Sequence, residues 1–385
     1  MRVLKNSYLG RGLYYAVVNH TTPINLTYAW NFGSLAIICL GLQIVTGVFL
    51  ACHYSPEVHL AFDSVEHIMR DVRGGWLVRY MHSNGASMFF MVVYAHIARG
   101  LFYGSYLWPR QLAWALGVVL FVLMMATAFL GYVLPWGQMS FWGATVISSL
   151  VGAVPVVGND VLVWLWGGYS VGGATLTRFF ALHFALPFIT FGVAAVHIVL
   201  VQHFSSNNPL GVQCLTDFIP FSPYYLIKDI AGVVPFLGVY LFFVFFAPNY
   251  LGHPDNYIRA NPMVTPPHIV PEWYFLPFYA ILRCCPDKLA GVALMGAGIL
   301  VLLVLPYLGR PDHKSMKFRF LSRWFFQTFA VVFIGMAYYG AMPVDKWTTH
   351  VTANLVTFYF GYFLVLAPGV ERLENFLGRH ARPGY

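Results

Sequence analysis

Charge is what this sequence has least of: Asp, Glu, Lys and Arg together make up 9% of its 385 residues. Soluble domains carry about a quarter, so an ordinary soluble core is excluded. The balance is 59% hydrophobic residues and a mean hydropathy of +0.66. Paired cysteines are also missing. Cys39, Cys52, Cys214, Cys284 and Cys285 form no CxxC motif, which gives little basis for a zinc site or a disulfide framework. Cys39 and Cys52 sit in apolar sequence and read as small hydrophobes. No internal repeat and no low-complexity tract is visible. Residues 1–20 carry Arg2, Lys5 and Arg11 but no cleavable apolar core and no evident transit peptide. Such an apolar chain is expected to be made in the compartment where it inserts. The net charge of +8 comes from basic residues scattered at segment ends, without the basic stripe or motif of a nucleic-acid binder. They fit anchoring of helix ends, so the lipid membrane is an expected partner and nucleic acid is not.

What remains is a set of apolar runs delimited by charges. A helix needs about 20 apolar residues to cross the hydrocarbon. Eight runs qualify. They are about 31–52, the stretch between Arg79 and Arg99, about 112–134, the stretch from after Arg178 to about 201, about 230–247, and those between Lys288 and Arg310, Arg323 and Asp345, and Lys346 and Glu371. The expected fold is an all-α membrane protein of eight transmembrane helices, with both termini on one side. Two connections are long, 135–177 and the proline-rich 248–287; connections of this length usually carry function or pack as short surface helices.

Calling the N-terminal side N and the other side P, 14 of the 22 basic residues fall on side N. The positive-inside rule then favours side N as the side of synthesis.

Polar residues inside the spans carry the chemistry. The second span holds His82 and His96, and the fourth His183 and His197, each pair 14 residues apart. Fourteen helical steps return to within roughly 40° of the same face and rise about 21 Å. Both spans run from P to N. His82 therefore shares a depth with His183, and His96 with His197. Two facing imidazoles at one depth can ligate a haem iron from both sides. A lone intramembrane histidine is more readily an interhelical hydrogen-bond partner or a link in a proton relay. Four with matched spacing on two parallel spans point to two stacked haems. Zinc is disfavoured, because two imidazoles make an incomplete zinc site.

Glycines repeat the interval. Gly33 and Gly47 lie 14 apart in the first span, Gly117 and Gly131 in the third. Gly33 and Gly117 match the N-side histidines, Gly47 and Gly131 the P-side pair. Single glycines usually serve close helix packing; the shared interval instead suggests room for a flat macrocycle. Arg79 lies three residues before His82 and Arg99 three after His96. Both suit haem propionates, and both can also snorkel to the interface.

A histidine-based proton transporter is the competing reading from a different class. It calls for polar or broken spans at mid-membrane, whereas these histidines sit near the two faces.

Several long motifs resemble mitochondrial cytochrome b, the di-haem subunit of ubiquinol–cytochrome c reductase (complex III). They are Arg79-Tyr80-Met81-His82-Ser83-Asn84-Gly85-Ala86-Ser87, the exit of the third span from Gly131 to Thr145, His253-Pro254-Asp255-Asn256-Tyr257, and Pro271-Glu272-Trp273-Tyr274. The resemblance covers roughly residues 20–368. The 14-residue interval in the fourth span is similar to the mitochondrial and bacterial proteins, whereas split plastid relatives have one residue more. A di-haem membrane anchor of another oxidoreductase would leave the Pro-Glu-Trp-Tyr motif and the eight spans unexplained.

The resemblance implies a Q cycle. Ubiquinol is oxidised on side P, electrons cross two non-covalent b haems, and ubiquinone is reduced on side N. It implies the mitochondrial inner membrane with the termini in the matrix. It also implies an obligate dimer of the complex, with a Rieske iron–sulfur subunit, a c-type cytochrome subunit and other complex III subunits. The expected organisation is a matrix-side segment 1–30 with an amphipathic surface helix, a haem-binding four-helix bundle over 31–210, and a C-terminal domain over 211–385.

At the P-side pocket Glu272 is the implied proton acceptor; by its residues alone it reads equally as a helix-start glutamate after proline. Tyr132, Tyr279, Phe129 and Gly143 are the matched pocket residues. On side N the resemblance implies Lys228, Asp229, Ser34 and Ser206 for the quinone. It also implies Trp30, Asn31 and Ser105 as cofactor contacts. The sequence departs from the family in three places. Gln202 stands where a quinone-contacting histidine is usual, five residues after His197, and His203 follows it; either side chain can serve. Arg259 replaces a frequent proline. Gly172-Gly173 replaces a polar pair at the opening of the fourth span.

Overall fold

The computed structural model describes residues 20–212 and 216–380. Arg2, Lys5, Arg11, Cys214 and Arg382 lie outside them, as do residues 1–19 of the segment expected to carry the amphipathic helix. Among the described residues, eight helices are long and apolar enough to cross a membrane. The spans are α1 (Phe32–Ala51), α3 (Gly75–Phe102), α4 (Gln111–Val133), α7 (Gly173–His203), α8 (Tyr224–Phe246), α10 (Lys288–Leu308), α11 (Phe320–Ala341) and α12 (Lys346–Gly361). The last continues through a π-helical turn, Tyr362–Leu366, into α13 (Ala367–His380). Shorter helices α2 (Ala61–Arg70), α5 (Gln138–Ser148), α6 (Gly158–Trp166) and α9 (Leu276–Arg283) sit in the connections.

Helix ends run past the charges that delimit the apolar runs. Arg178 lies inside α7, and Lys228 and Asp229 lie in the first turns of α8. A long cationic side chain can reach the interface from within a helix, so charge marks the hydrocarbon boundary rather than the helix end. The Gly172-Gly173 departure is absorbed locally. The Gly172 N–H donates to Thr175 Oγ1 at 3.1 Å, and that hydroxyl donates to the Trp166 carbonyl at 2.8 Å.

Tertiary bonds fix which connections share a side. Strand β1 (Thr21–Pro23) precedes α1 and pairs antiparallel with β2 (Phe218–Pro220), which follows α7. Arg110, before α4, donates to the carbonyl of Ser205, after α7, at 2.9 Å. Ser315, before α11, donates to the Pro209 carbonyl at 2.8 Å. Opposite these, α2 meets the 248–287 connection through an Asp63–Arg259 ion pair. Only an even number of crossings between the partners allows such contacts, in agreement with eight spans.

The first four spans pack as two pairs, α1 against α3 and α4 against α7. The last three spans share an aromatic core with the inner faces of α3 and α4, while α8 packs on α1 and α3. The core includes Phe329, Tyr359, Tyr362 and Phe363, with Phe329 and Tyr362 stacked at 4.5 Å. The connection between α8 and α10 folds back onto α3. Trp273 Nε1 donates to Ser87 Oγ at 3.0 Å. Tyr274 stacks flat on Phe90 at 4.0 Å, and the Tyr94 hydroxyl donates to its carbonyl.

Candidate functional site: two imidazole pairs and a flanking carboxyl

The histidines meet across the bundle. The rings of His82 and His183 are 6.2 Å apart between centroids, and those of His96 and His197 are 6.5 Å apart. A metal–imidazole bond is about 2 Å and its nitrogen lies about 1 Å from the ring centre, so two trans imidazoles on one metal sit about 6 Å apart. Both pairs have that spacing. Among the described residues no third His, Cys, Asp or Glu joins either pair, so the remaining equatorial donors have to come from the bound group, as a porphyrin supplies them.

The glycines act on the imidazoles. A Cβ on Gly47 would stand 3.1 Å from His82 Cε1, and one on Gly131 would collide with the His183 ring. On side N, a Cβ on Gly33 would stand 3.4 Å from His96 Cε1 and one on Gly117 3.3 Å from His197 Cε1. Each glycine thus leaves a slot through which the histidine of its packing partner crosses. In this structure the space at each glycine is taken up by an imidazole ring.

The second ring nitrogens set which nitrogen faces inward. His183 Nδ1 is 2.8 Å from the Thr127 carbonyl, which fixes Nδ1 as the protonated nitrogen and leaves Nε2 bare. Thr46 Oγ1 donates to the Leu42 carbonyl at 2.6 Å and is then the acceptor for His82 Nδ1 at 2.9 Å. Neither Thr46 nor Thr127 stands out in the sequence beyond its place, one residue before Gly47 and four before Gly131. On side N, His197 Nδ1 faces the Ala113 carbonyl without completing an ordinary hydrogen bond. His96 Nδ1 is met by Arg99 Nη2 at 3.2 Å.

The P-side pair opens into a cavity of about 810 Å³ that also holds Arg79, Tyr132 and Glu272; small-molecule sites span about 300–1,000 Å³. Glu272 precedes the 3-10 turn Trp273–Phe275 but makes no cap bond to it. Its carboxyl faces the Tyr132 hydroxyl instead. Burial pushes the Glu272 carboxyl up to about 7, and the Tyr132 contact opposes that rise. Tyr274, Tyr257 and Asn256 line the same cavity. Phe129, Gly143 and Tyr279 lie outside it. Phe129 packs on Phe179, and Tyr279 lies under the Arg283 guanidinium. Arg259 replaces proline without opening the connection. It pairs with Asp63, holding that carboxyl below its usual range, and covers the Phe62 ring at 5.5 Å.

On side N, the start of α1 meets the start of α8. Asn31 Nδ2 donates to the Lys228 carbonyl at 2.8 Å, and Lys228 Nζ donates to the Leu26 carbonyl at 2.5 Å. Asp229 meets the Ser34 side chain. Arg99 stacks over Trp30 at 5.1 Å, and its Nε is buried without a hydrogen-bond partner. Ser105 Oγ accepts from Asn207 at 3.2 Å, which brings it beside the loop that carries half-buried Ser206. At the end of α7, Gln202 is half-buried and engaged, whereas His203 is exposed and lies edge-on to Phe204.

The fold and its paired histidines define a class: a helical membrane protein of eight spans whose first four spans bring together two imidazole pairs, one toward each face. Comparison with known proteins narrows it. Residues 17–205 match the family model Cytochrome b/b6/petB, and residues 259–360 match Cytochrome b(C-terminal)/b6/petD. A cytochrome b of Chondrus crispus is 53% identical over 361 residues, covering 94% of this chain and 95% of that protein. Cytochrome b of Oryza sativa subsp. japonica is 56% identical, covering 93% and 90%, and that of Rhodospirillum rubrum is also 56% identical, covering 93% and 89%. A chain of a solved hyperthermophilic respiratory complex III superposes with a TM-score of 0.90 at 32% identity, covering 97% of this chain and 99% of that one. The chain belongs to the cytochrome b family, which carries b-type haem.

Proposed function

We propose that this chain is the electron-transfer subunit of a ubiquinol–cytochrome c reductase. It oxidises ubiquinol in the P-side cavity and reduces ubiquinone at the N-side end of the bundle, so that charge crosses the membrane. The observation that carries this reading is the P-side cavity, where an imidazole pair at metal-bridging distance adjoins a carboxyl that titrates near neutrality.

His82 with His183, and His96 with His197, would hold the two haems, and Arg79 and Arg99 would take their propionates. When bound, the haems supply two one-electron centres at different depths. The protein's own groups move the protons. The Glu272 carboxylate accepts a quinol proton, as a base titrating near the working pH does best. The Tyr132 hydroxyl, buried without an ordinary hydrogen-bond partner, offers a donor to a quinol oxygen. On side N, Asp229 beside Ser34, with Lys228 next to it, delivers protons to the reduced quinone, and Gln202 is favoured over His203 as the carbonyl donor because it is half-buried where His203 is exposed.

The two matched segments support a division into the haem bundle 31–210 and a C-terminal domain 211–385. We further place the chain in the mitochondrial inner membrane with its termini in the matrix. Its partners there are the Rieske and c-type cytochrome subunits of a dimeric complex. The distribution of basic residues and the likeness to a complex III chain support this.

Redox titration of membranes holding the protein tests the reading. Two b-type components with distinct midpoints are expected, and His197→Ala removes one of them. A single component in the unaltered protein, or none, overturns it.

A further inference from the structure

Residues 253–264 form a strap stitched along the corner between α4 and α5. The Ala260 N–H donates to the Trp136 carbonyl at 3.0 Å, and the Gln138 N–H to the Ile258 carbonyl at 2.9 Å. The Gln138 side chain accepts from the Asn261 N–H at 2.7 Å and donates to the Val264 carbonyl at 3.0 Å. At the inner end, Asn256 Oδ1 accepts the Ser140 N–H at 2.8 Å. The fit is close: a Cβ on Gly137 would run into the Asn256 oxygens.

Ser140 is fully buried. Its hydroxyl lies 2.7 Å from the Tyr132 carbonyl and 3.0 Å from Asn256 Oδ1. Its single proton is shared between the two acceptors. The Tyr132 carbonyl belongs to the last turn of α4, where backbone acceptors have no partner within the helix. Ser140 supplies that partner from outside. The chain of contacts therefore runs from the strap through Asn256 and Ser140 to the backbone of Tyr132, whose hydroxyl faces Glu272.

We propose that Ser140, held by Asn256, is a positioning residue of the P-side site: it fixes the last turn of α4 and so sets where the Tyr132 hydroxyl meets the Glu272 carboxyl. This rests on the quinol-oxidising reading above. Glu272 is faced by Tyr132 from α4, by Tyr257 from the strap and by Tyr274 from its own turn, with Arg79 and His253 in the same cavity. Ser140 bonds the backbone of Tyr132 itself, and the Tyr132 contact holds the carboxyl down; Tyr257 is linked to Ser140 only through its neighbour Asn256.

The test uses the assembled complex and a short-chain ubiquinol, with turnover followed across pH. Ser140→Ala is expected to lower kcat about three- to tenfold through a misplaced donor. The rising limb of kcat should move up by about half a pH unit as the Tyr132 contact loosens. Both b absorption bands stay intact. In a Tyr132→Phe background, Ser140→Ala adds nothing to the midpoint, because it acts through that hydroxyl. A rate loss with an unmoved midpoint, an unchanged rate, or additive midpoint shifts would overturn the proposal. Glu272→Gln, measured alongside, separates the two ideas. If Glu272→Gln is slow and Ser140→Ala is normal, the positioning role alone fails. If Glu272→Gln turns over like the unaltered protein, the proton-acceptor reading itself fails.

Discussion

The two ends of the four-helix bundle share one plan and differ in how firmly they hold it. On side P, His82 and His183 each have their outer ring nitrogen engaged, by the Thr46 hydroxyl and the Thr127 carbonyl. On side N the corresponding positions, 14 residues earlier, are Phe32 and Ala113. Phe32 has no hydroxyl to offer, and the Ala113 carbonyl faces His197 without closing a bond. The cation Arg99 meets His96 instead. The P-side rings stand closer, 6.2 Å against 6.5 Å, and their glycine slots are tighter. One internal pattern of ligands and glycines can thus carry two environments, because the residues beside that pattern are free to differ. An imidazole whose outer N–H is bonded to an acceptor is the more basic ligand, so haems held by the two pairs would be tuned apart by the neighbours of the histidines.

Substitutions can break or sharpen this contrast. The largest effect is expected from the ligands themselves. His183→Ala should abolish the P-side b component and His197→Ala the N-side one, each leaving the other spectrally intact. Loss of both together in either variant would show that the sites do not form separately. Next comes Glu272→Gln, which should slow quinol oxidation about 10²-fold, as removal of a general base does, without changing either b band. In the unaltered protein, quinol oxidation should rise as pH climbs through about 7, where the Glu272 carboxyl loses its proton. Glu272→Gln should flatten that limb, and a limb that persists would assign it to another group. The glycine slots predict a smaller, graded effect. Gly131→Ala should deplete the P-side component more than Gly33→Ala depletes the N-side one, read as haem content per polypeptide. At the N-side terminus of α7, Gln202→Ala should weaken quinone reduction about two- to tenfold, the worth of one hydrogen bond. His203→Ala, at an exposed ring, should change it least. The reverse order would return the quinone contact to His203.

Much of this was legible in the residues. The eight spans followed from where charge stops, and the histidine interval agrees with the two imidazole pairs that meet across the bundle. Helices extend past the apolar runs where a charged residue lies inside them, as Arg178 does in α7 and Lys228 in α8. The partners of the imidazoles escaped notice for a physical reason. Thr46 contributes one hydroxyl in an apolar run, and Thr127 contributes only its backbone carbonyl, which no side-chain pattern announces. The P-side cavity drew on tertiary folding in the same way. Phe129, Gly143 and Tyr279 resemble pocket residues by motif. The cavity beside Glu272 is lined by Tyr132, Tyr274 and, from the strap, His253, Asn256 and Tyr257, with Trp273 and Tyr274 anchored on α3.

The small β1–β2 sheet has a consequence for how the molecule is built. Strand β1 emerges ahead of the first span, and its partner β2 lies about 200 residues later, which at about 5–20 residues per second means a delay of about 10–40 s during synthesis. In that interval the first four spans are made while β1 has no strand to pair with. Pairing with Phe218–Pro220 ties the segment ahead of the first span to the segment after the fourth. The sheet can therefore form only where an even number of crossings separates its two strands.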